Sequence, residues 1–191
     1  GMEKLMNCKQ WPPSDLAMID VTTDKYLSED VPFVTYYFTV SGHTHYNWIG
    51  NSMSYKNKAL VSSLDYSETA KAYLASQIEL DKALELLITR LTEKGELDNT
   101  VIALVGDHHP YNMATGTSDT PDIDIINELS NRTEEKDNVI EVNRSNFILW
   151  NSTTPTTHIK KVGSQVDVLP TLLNLFGISY DSRLLIGKDI L

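Results

Sequence analysis

The chain has 191 residues and a formal net charge of −10, which excludes the basic stripe on which nucleic-acid binding depends. Hydrophobic residues make up 41% and charged residues 22%, the proportions of a globular protein able to bury one core, and no apolar run reaches the length of a membrane span. The lone Cys8 excludes an internal disulfide and does not distinguish one compartment from another.

Residues 14–29 have mixed helical character, with Leu16, Met18 and Ile19 apolar and Ser14 available as a cap. Pro32 ends that element, and residues 33–40, rich in aromatic and β-branched side chains, predict a strand. It closes on Ser41-Gly42-His43-Thr44-His45. A long connection to about residue 66 then carries Tyr46, Trp48 and Tyr55; loops of this length are usually functional or disordered. From 67 to 94 the pattern is helical, with Tyr73, Leu80, Leu84, Leu87 and Leu91 on one stripe and Gly95 as the stop. Residues 100–105 form a second strand, uninterruptedly apolar and so expected to be buried on both faces.

Residues 112–138 are polar, with a helix expected around 123–129. Residues 146–150 predict a third buried strand, followed by a Ser/Thr-rich loop. A last helix spans 166–176, stopped by Gly177. Ser164 and Asp167 match a capping box, but Asp167 as N-cap puts Pro170 at the third helical position, where its missing N–H costs nothing, and is the preferred register. No internal repeat or low-complexity segment appears, so residues 1–191 are read as a single domain. Gly1-Met2 resembles an expression scar, in which case targeting or membrane segments belong to a longer parent.

The segment carrying the chemistry is Val101-Ile-Ala-Leu-Val-Gly-Asp107-His108-His109. In open α/β sheets, sites gather at the carboxyl ends of strands, and Asp and His are ligands for Zn, Mn or Fe. Asp107 and His108 are therefore candidate metal ligands, the alternative being a polar turn. Successive residues point in different directions, so His109 is better placed for an outer contact than for ligation. A strand–helix–strand unit from 33 to 105 would be a right-handed parallel crossover, bringing His43 and Asp107-His108 to one crevice. His43 would there donate to a substrate phosphate oxygen or act as a general acid; the alternative is a histidine closing a strand end. His45 is read as a loop residue, and Tyr46 and Trp48 as packing aromatics. Asp81 is expected to tie its helix to a neighbouring loop, Lys160-Lys161 is read as solvated, and His158 has no assigned partner. Asn131, Asn143 and Asn151 match the short glycosylation pattern.

Three blocks occur in one order: Phe33-Val-Thr-Tyr-Tyr-Phe-Thr-Val-Ser-Gly-His43, the helix leading through Gly95 into Val101-Ile-Ala-Leu-Val-Gly-Asp-His108, and Ser164-Gln-Val-Asp-Val-Leu-Pro-Thr-Leu-Leu-Asn-Leu-Phe-Gly-Ile178. Together they resemble the sulfatase-like branch of the alkaline phosphatase superfamily, within it the catalytic domains of lipoteichoic acid synthases and related phosphoglycerol transferases. Ile186-Gly-Lys-Asp-Ile-Leu191 also looks like that family's closing segment. The resemblance implies an α/β fold, mostly parallel sheet with flanking helices, alkaline-phosphatase-like and here incomplete on its N-terminal side.

It further implies an enzyme on the extracellular face of a bacterial membrane, anchored by upstream helices and acting on an anionic phosphodiester or sulfate-ester substrate such as a glycerophospholipid. The family's divalent metal, typically Mn²⁺ (with Mg²⁺, Ca²⁺ or Zn²⁺ as alternatives), would be held in part by Asp107 and His108. His43 matches the histidine that contacts the phosphoglycerol group. The chemistry would pass through a covalent threonine intermediate. No block matches the half of the family domain that carries the nucleophile and the acidic ligand. Cys8 does not fit the Cys-x-Pro-x-Arg context of a formylglycine, and His109-Pro110 departs from the usual sequel to the Asp-His pair. The chain is accordingly expected to be a C-terminal portion, inactive alone. The alternatives are a portion of a sulfatase or phosphoethanolamine transferase, or a non-catalytic module that binds cell-wall polymer.

Overall fold

The structure, a computed structural model, describes residues 9–108, 125–130 and 145–191. His109, Cys8, Asn131, Asn143 and most of the polar run from 112 lie outside the described residues.

The first helix, α1 (Asp15–Leu27), begins where the sequence places it, because Ser14 Oγ accepts the Ala17 N–H at 3.0 Å. The second, α2 (Ser52–Val61), corrects the expectation of an unbroken connection between 45 and 66. Asn51 caps it, its Oδ1 accepting from the backbone of Met53 and Ser54. The helix has no apolar stripe to betray it: of its buried side chains, Met53 and Val61 are apolar, while Ser54 and Asn57 are polar and satisfied by neighbours.

The long helix α3 (Glu68–Lys94) carries Ser67 at its N-cap and Gly95 in the left-handed region (φ 75°) at its end. Both α1 and α2 pack along it. The face it buries differs from the predicted leucine stripe, for it consists mainly of Ala70, Ala72, Ala75, Ser76 and Ala83, with Leu91 near the end. Leu80, Leu84 and Leu87 are only partly buried. Small side chains let helix backbones approach closely, and they leave room for the polar contacts that cross this interface.

Glu79 is the centre of those contacts. It is fully buried and accepts from Lys56 Nζ (2.8 Å), Asn57 Nδ2 (3.1 Å) and the Ser14 hydroxyl, joining α1, α2 and α3. Burial disfavours its charge, but the bonds from Lys56, Ser14 and Asn57 outweigh this and hold the carboxyl below its ordinary value. A short helix, α4 (Ile125–Ser130), contributes Ile125 to a cluster with Tyr46 and Ala70, against which Tyr73 and Leu129 pack. Tyr46 meets Tyr73 edge-on at 5.1 Å, and burial with Tyr73 alongside pushes its phenol up to about 12. The packing role expected of Tyr46 is the one it has.

Residues 33–40 form no strand ladder among the described residues. The stretch is nonetheless anchored at two points, Phe33 and Tyr37. Phe33 stacks on Tyr26 (4.8 Å) and the Tyr37 hydroxyl bonds to Thr22 and Tyr26, while Val34, Tyr36 and Phe38 are exposed. The aromatic and β-branched content that predicts a strand is present, but Thr35 and Thr39 are exposed as well as Val34, Tyr36 and Phe38, and a ladder needs partners that the described residues do not supply.

These elements make one compact unit, residues up to Leu97 with 125–130; residues 98–108 and 145–191 make a second. In the second unit β1 (Ile102–Val105) pairs with β2 (Phe147–Trp150) in antiparallel register, Ile102 opposite Trp150 and Val105 opposite Phe147. The expected α/β mixture is present, but no parallel ladder occurs among the described residues. Nor is β1 buried on both faces: Ile102 and Leu104 are half-buried, whereas Ala103 and Val105 are exposed. Asn151 Nδ2 ties the end of β2 to the Thr100 carbonyl at 2.8 Å.

The last helix, α5 (Val168–Leu175), follows a 3₁₀ turn over Gln165–Asp167 and ends ahead of Gly177 (φ 62°). Pro170 sits at its third position, as the Asp167 register requires, but the Asp167 side chain caps no N–H of α5 and instead closes a capping box with Ser164 around the 3₁₀ turn. The Asp167 carboxylate also accepts the Ser164 and Lys188 backbone N–H groups, both at 2.7 Å, and these hold it below its ordinary range. It thereby fastens the closing segment to the turn before α5.

Candidate functional site

In the first unit, His43 stands at the end of the extended stretch, exposed, on a turn closed by its own N–H to the Val40 carbonyl (3.0 Å). Its Nδ1 lies 3.0 Å from the Thr44 carbonyl, which can only accept, so Nδ1 carries the proton. Nε2 makes none of the hydrogen bonds among the described residues. Trp11 packs edge-on against the imidazole at 5.2 Å, and its Nε1 donates to the same Thr44 carbonyl at 3.4 Å. Asn51 Nδ2 donates to the His43 carbonyl at 2.8 Å, so the N-cap of α2 also anchors the histidine's backbone.

In the second unit, Asp107 and His108 follow β1 across Gly106, both about half exposed. Their side chains converge, with His108 Nε2 3.6 Å from Asp107 Oδ2. Carboxylate and imidazole are both donors that a divalent ion accepts, and the two stand close enough to serve one ion. No third acidic, His or Cys side chain joins them among the described residues. Gln165 Nε2 reaches back from the 3₁₀ turn to the Gly106 carbonyl (3.2 Å), steadying the backbone that presents the pair. Gly106 itself is a close approach, for a Cβ there would meet Ser145 Oγ at 2.7 Å.

The pair Asp107-His108 and the residue His43 thus belong to separate units. Spacing alone misses Asp15, Asn51 and Gln165. Asn51 has a signal, an Asn followed by Ser ahead of a helical decade, but Asp15 and Gln165 act on backbone far away in sequence. Trp48 donates to Glu68 Oε2 (2.8 Å) with Lys58 over its ring, a packing role as expected. Asp81 is exposed on α3.

The Sulfatase family model matches residues 3–178. The chain is 28% identical over 170 residues to the lipoteichoic acid synthase of Staphylococcus saprophyticus, covering 89% of this chain and 24% of that protein. It is 25% identical over 200 residues to the lipoteichoic acid synthase of Staphylococcus aureus (strain USA300), covering all of this chain and 29% of that protein. The chain therefore spans about a quarter of the length of the curated relatives it matches.

Proposed function

From the premise that the chain belongs to the sulfatase family, we propose that it is the C-terminal portion of a metal-dependent phosphoglycerol transferase. The observation that carries this reading is the similarity to lipoteichoic acid synthases along nearly the whole chain. Both units are then parts of one alkaline-phosphatase-like domain, whose mostly parallel sheet is completed by residues outside this chain.

Asp107 Oδ2 and His108 Nε2 would hold a divalent ion, Mn²⁺ by preference, together with ligands contributed from outside this chain. When bound, such an ion lowers the pKa of a nucleophile and neutralises charge developing on a phosphoryl group. The nucleophile, a threonine forming a covalent intermediate, also lies outside the chain, which by itself is inactive. His43 contributes Nε2: protonated, the imidazolium donates to a phosphoryl oxygen of the substrate. The bond from Nδ1 to Thr44 fixes which way that donor points. The substrate class is an anionic phosphodiester such as a glycerophospholipid. The longer protein is placed at the extracellular face of a bacterial membrane; no helix among the described residues is long and apolar enough to cross one.

The test is made in the longer protein that contains this chain. Asp107→Ala and His108→Ala should each abolish release of diacylglycerol from phosphatidylglycerol and lose bound Mn²⁺, measured by elemental analysis of the purified protein. Metal content unchanged in both variants would remove the ligand assignment. His43→Ala should lose turnover and keep the metal.

A further inference from the structure

Asp15 is the first residue of α1, a position where an acidic side chain commonly faces solvent and complements the helix dipole. Here it does neither in the ordinary way. Its side chain is buried (1% exposed) and turned onto the segment ahead of His43. One carboxylate oxygen accepts the Val40 N–H at 2.9 Å; the other accepts the Ser41 N–H at 3.1 Å and the Ser41 hydroxyl. Ser41, itself fully buried, takes the Asp15 backbone N–H on its Oγ at 3.3 Å. A buried carboxylate is tolerated when its lone pairs are filled in this way.

The consequence lies in a single planar peptide. The N–H of Ser41 and the carbonyl of Val40 belong to the same rigid amide, so fixing one fixes the other. Asp15 holds the N–H, and the carbonyl on the opposite edge receives the His43 N–H that closes the turn. Two residues on, Asn51 holds the His43 carbonyl. The backbone of His43 is therefore clamped from both sides while its imidazole stays exposed.

We infer that Asp15 is a positioning residue for His43, setting the 40–43 turn so that Nε2 meets the substrate's phosphoryl group. The inference rests on the proposed role of His43. It implies that Asp15 influences turnover only through that histidine.

Asp15→Asn keeps the shape of the side chain but replaces one acceptor by an NH₂ group that cannot take the Val40 or Ser41 N–H. In the longer, Mn²⁺-loaded protein with phosphatidylglycerol vesicles, Asp15→Asn should lower kcat/KM about 10- to 100-fold, the scale of a misplaced contact. In a His43→Ala background the same substitution should cost nothing further. The ¹⁵N–¹H signals of the His43 ring should also shift in Asp15→Asn, with metal content unchanged. Should Asp15→Asn fail to fold, Ser41→Ala removes the hydroxyl's bond to the Asp15 carboxylate and its bond from the Asp15 N–H, leaves the two backbone bonds to the carboxylate, and should give a smaller loss with the same dependence on His43. Losses that add in the double variant, or unmoved ring signals beside a merely lowered Tm, would overturn the inference. Full turnover in His43→Ala would overturn the substrate-contact reading instead, and a shifted His43 ring in Asp15→Asn would still support the positioning role.

Discussion

Glu79 bears its charge where three helices meet, and its energetics follow from what surrounds it. Its carboxyl is held below the ordinary value of 4.5 by Lys56, Ser14 and Asn57 against the opposing effect of burial. The unfolded chain therefore takes up a proton at higher pH than the folded one. The stabilisation is fully present above pH 4.5 and is lost as pH falls through the lower folded value. Glu79→Gln should cost about 1.5–3 kcal/mol at pH 7, the range for hydrogen bonds to a charged group, and should flatten the fall in stability below pH 4.5. Urea titrations at pH 7 and across the acid limb measure both effects, and an acid limb as steep as the wild type's would assign the pH dependence to other carboxylates. At this scale the sequence is unevenly legible. Asp107 and His108 stand out because a short apolar run and the residues just after it are adjacent in the chain. Glu79 looks like any acidic residue of a surface helix, and Asp15 like a first-turn aspartate, since their partners lie 22 to 65 residues away for the one and 25 or 26 for the other.

Elements whose limits depend on local chemistry are legible almost to the residue. Ser14, Ser67 and Gly95 bound their helices because a cap satisfies backbone groups within a few residues. The α2 helix is hidden in the sequence because its inner face is partly polar, and those groups are satisfied only by α3. Residues 33–40 show the reverse case, where aromatic and β-branched side chains predict a strand but the ladder depends on strands elsewhere. The end of α3 offers a direct check on local reading. Gly95 adopts φ 75° with open space around its Cβ position, so an alanine there meets no clash and suffers only backbone strain. Gly95→Ala should lower stability by about 1–2 kcal/mol, the cost of a left-handed non-glycine residue. Ser67→Ala should cost about 1 kcal/mol through the lost cap. It also removes the hydroxyl's bond to Glu128 Oε2 (2.6 Å), so a fluorescence or exchange probe in α4 should respond to it and not to Gly95→Ala.

On the scale of the whole molecule, the amount of apolar side chain left in water is the feature that most needs a cause. Val34, Tyr36 and Phe38 are exposed in one unit, and Val162, Leu184 and Ile186 in the other. Soluble monomers rarely leave contiguous apolar patches of more than a few hundred Å² uncovered. Under the proposed function the cause is simple, since the relatives are between three and four times as long as this chain, and the rest of the domain in the longer protein would cover such surfaces. The 33–40 stretch then becomes a strand in the longer protein, with Val34, Tyr36 and Phe38 on its covered face. Amide exchange separates this from a surface that is exposed in any context. In the 191-residue chain, the amides of residues 33–39, which have no ladder partners among the described residues, should exchange quickly, while that of Val40, bonded to Asp15, should be slower. In the longer protein the 33–39 amides should become protected, and binding of an apolar dye, strong for the isolated chain, should fall. Equal exchange in both proteins would mean that this stretch is no strand in either, and the apolar face would then need another partner.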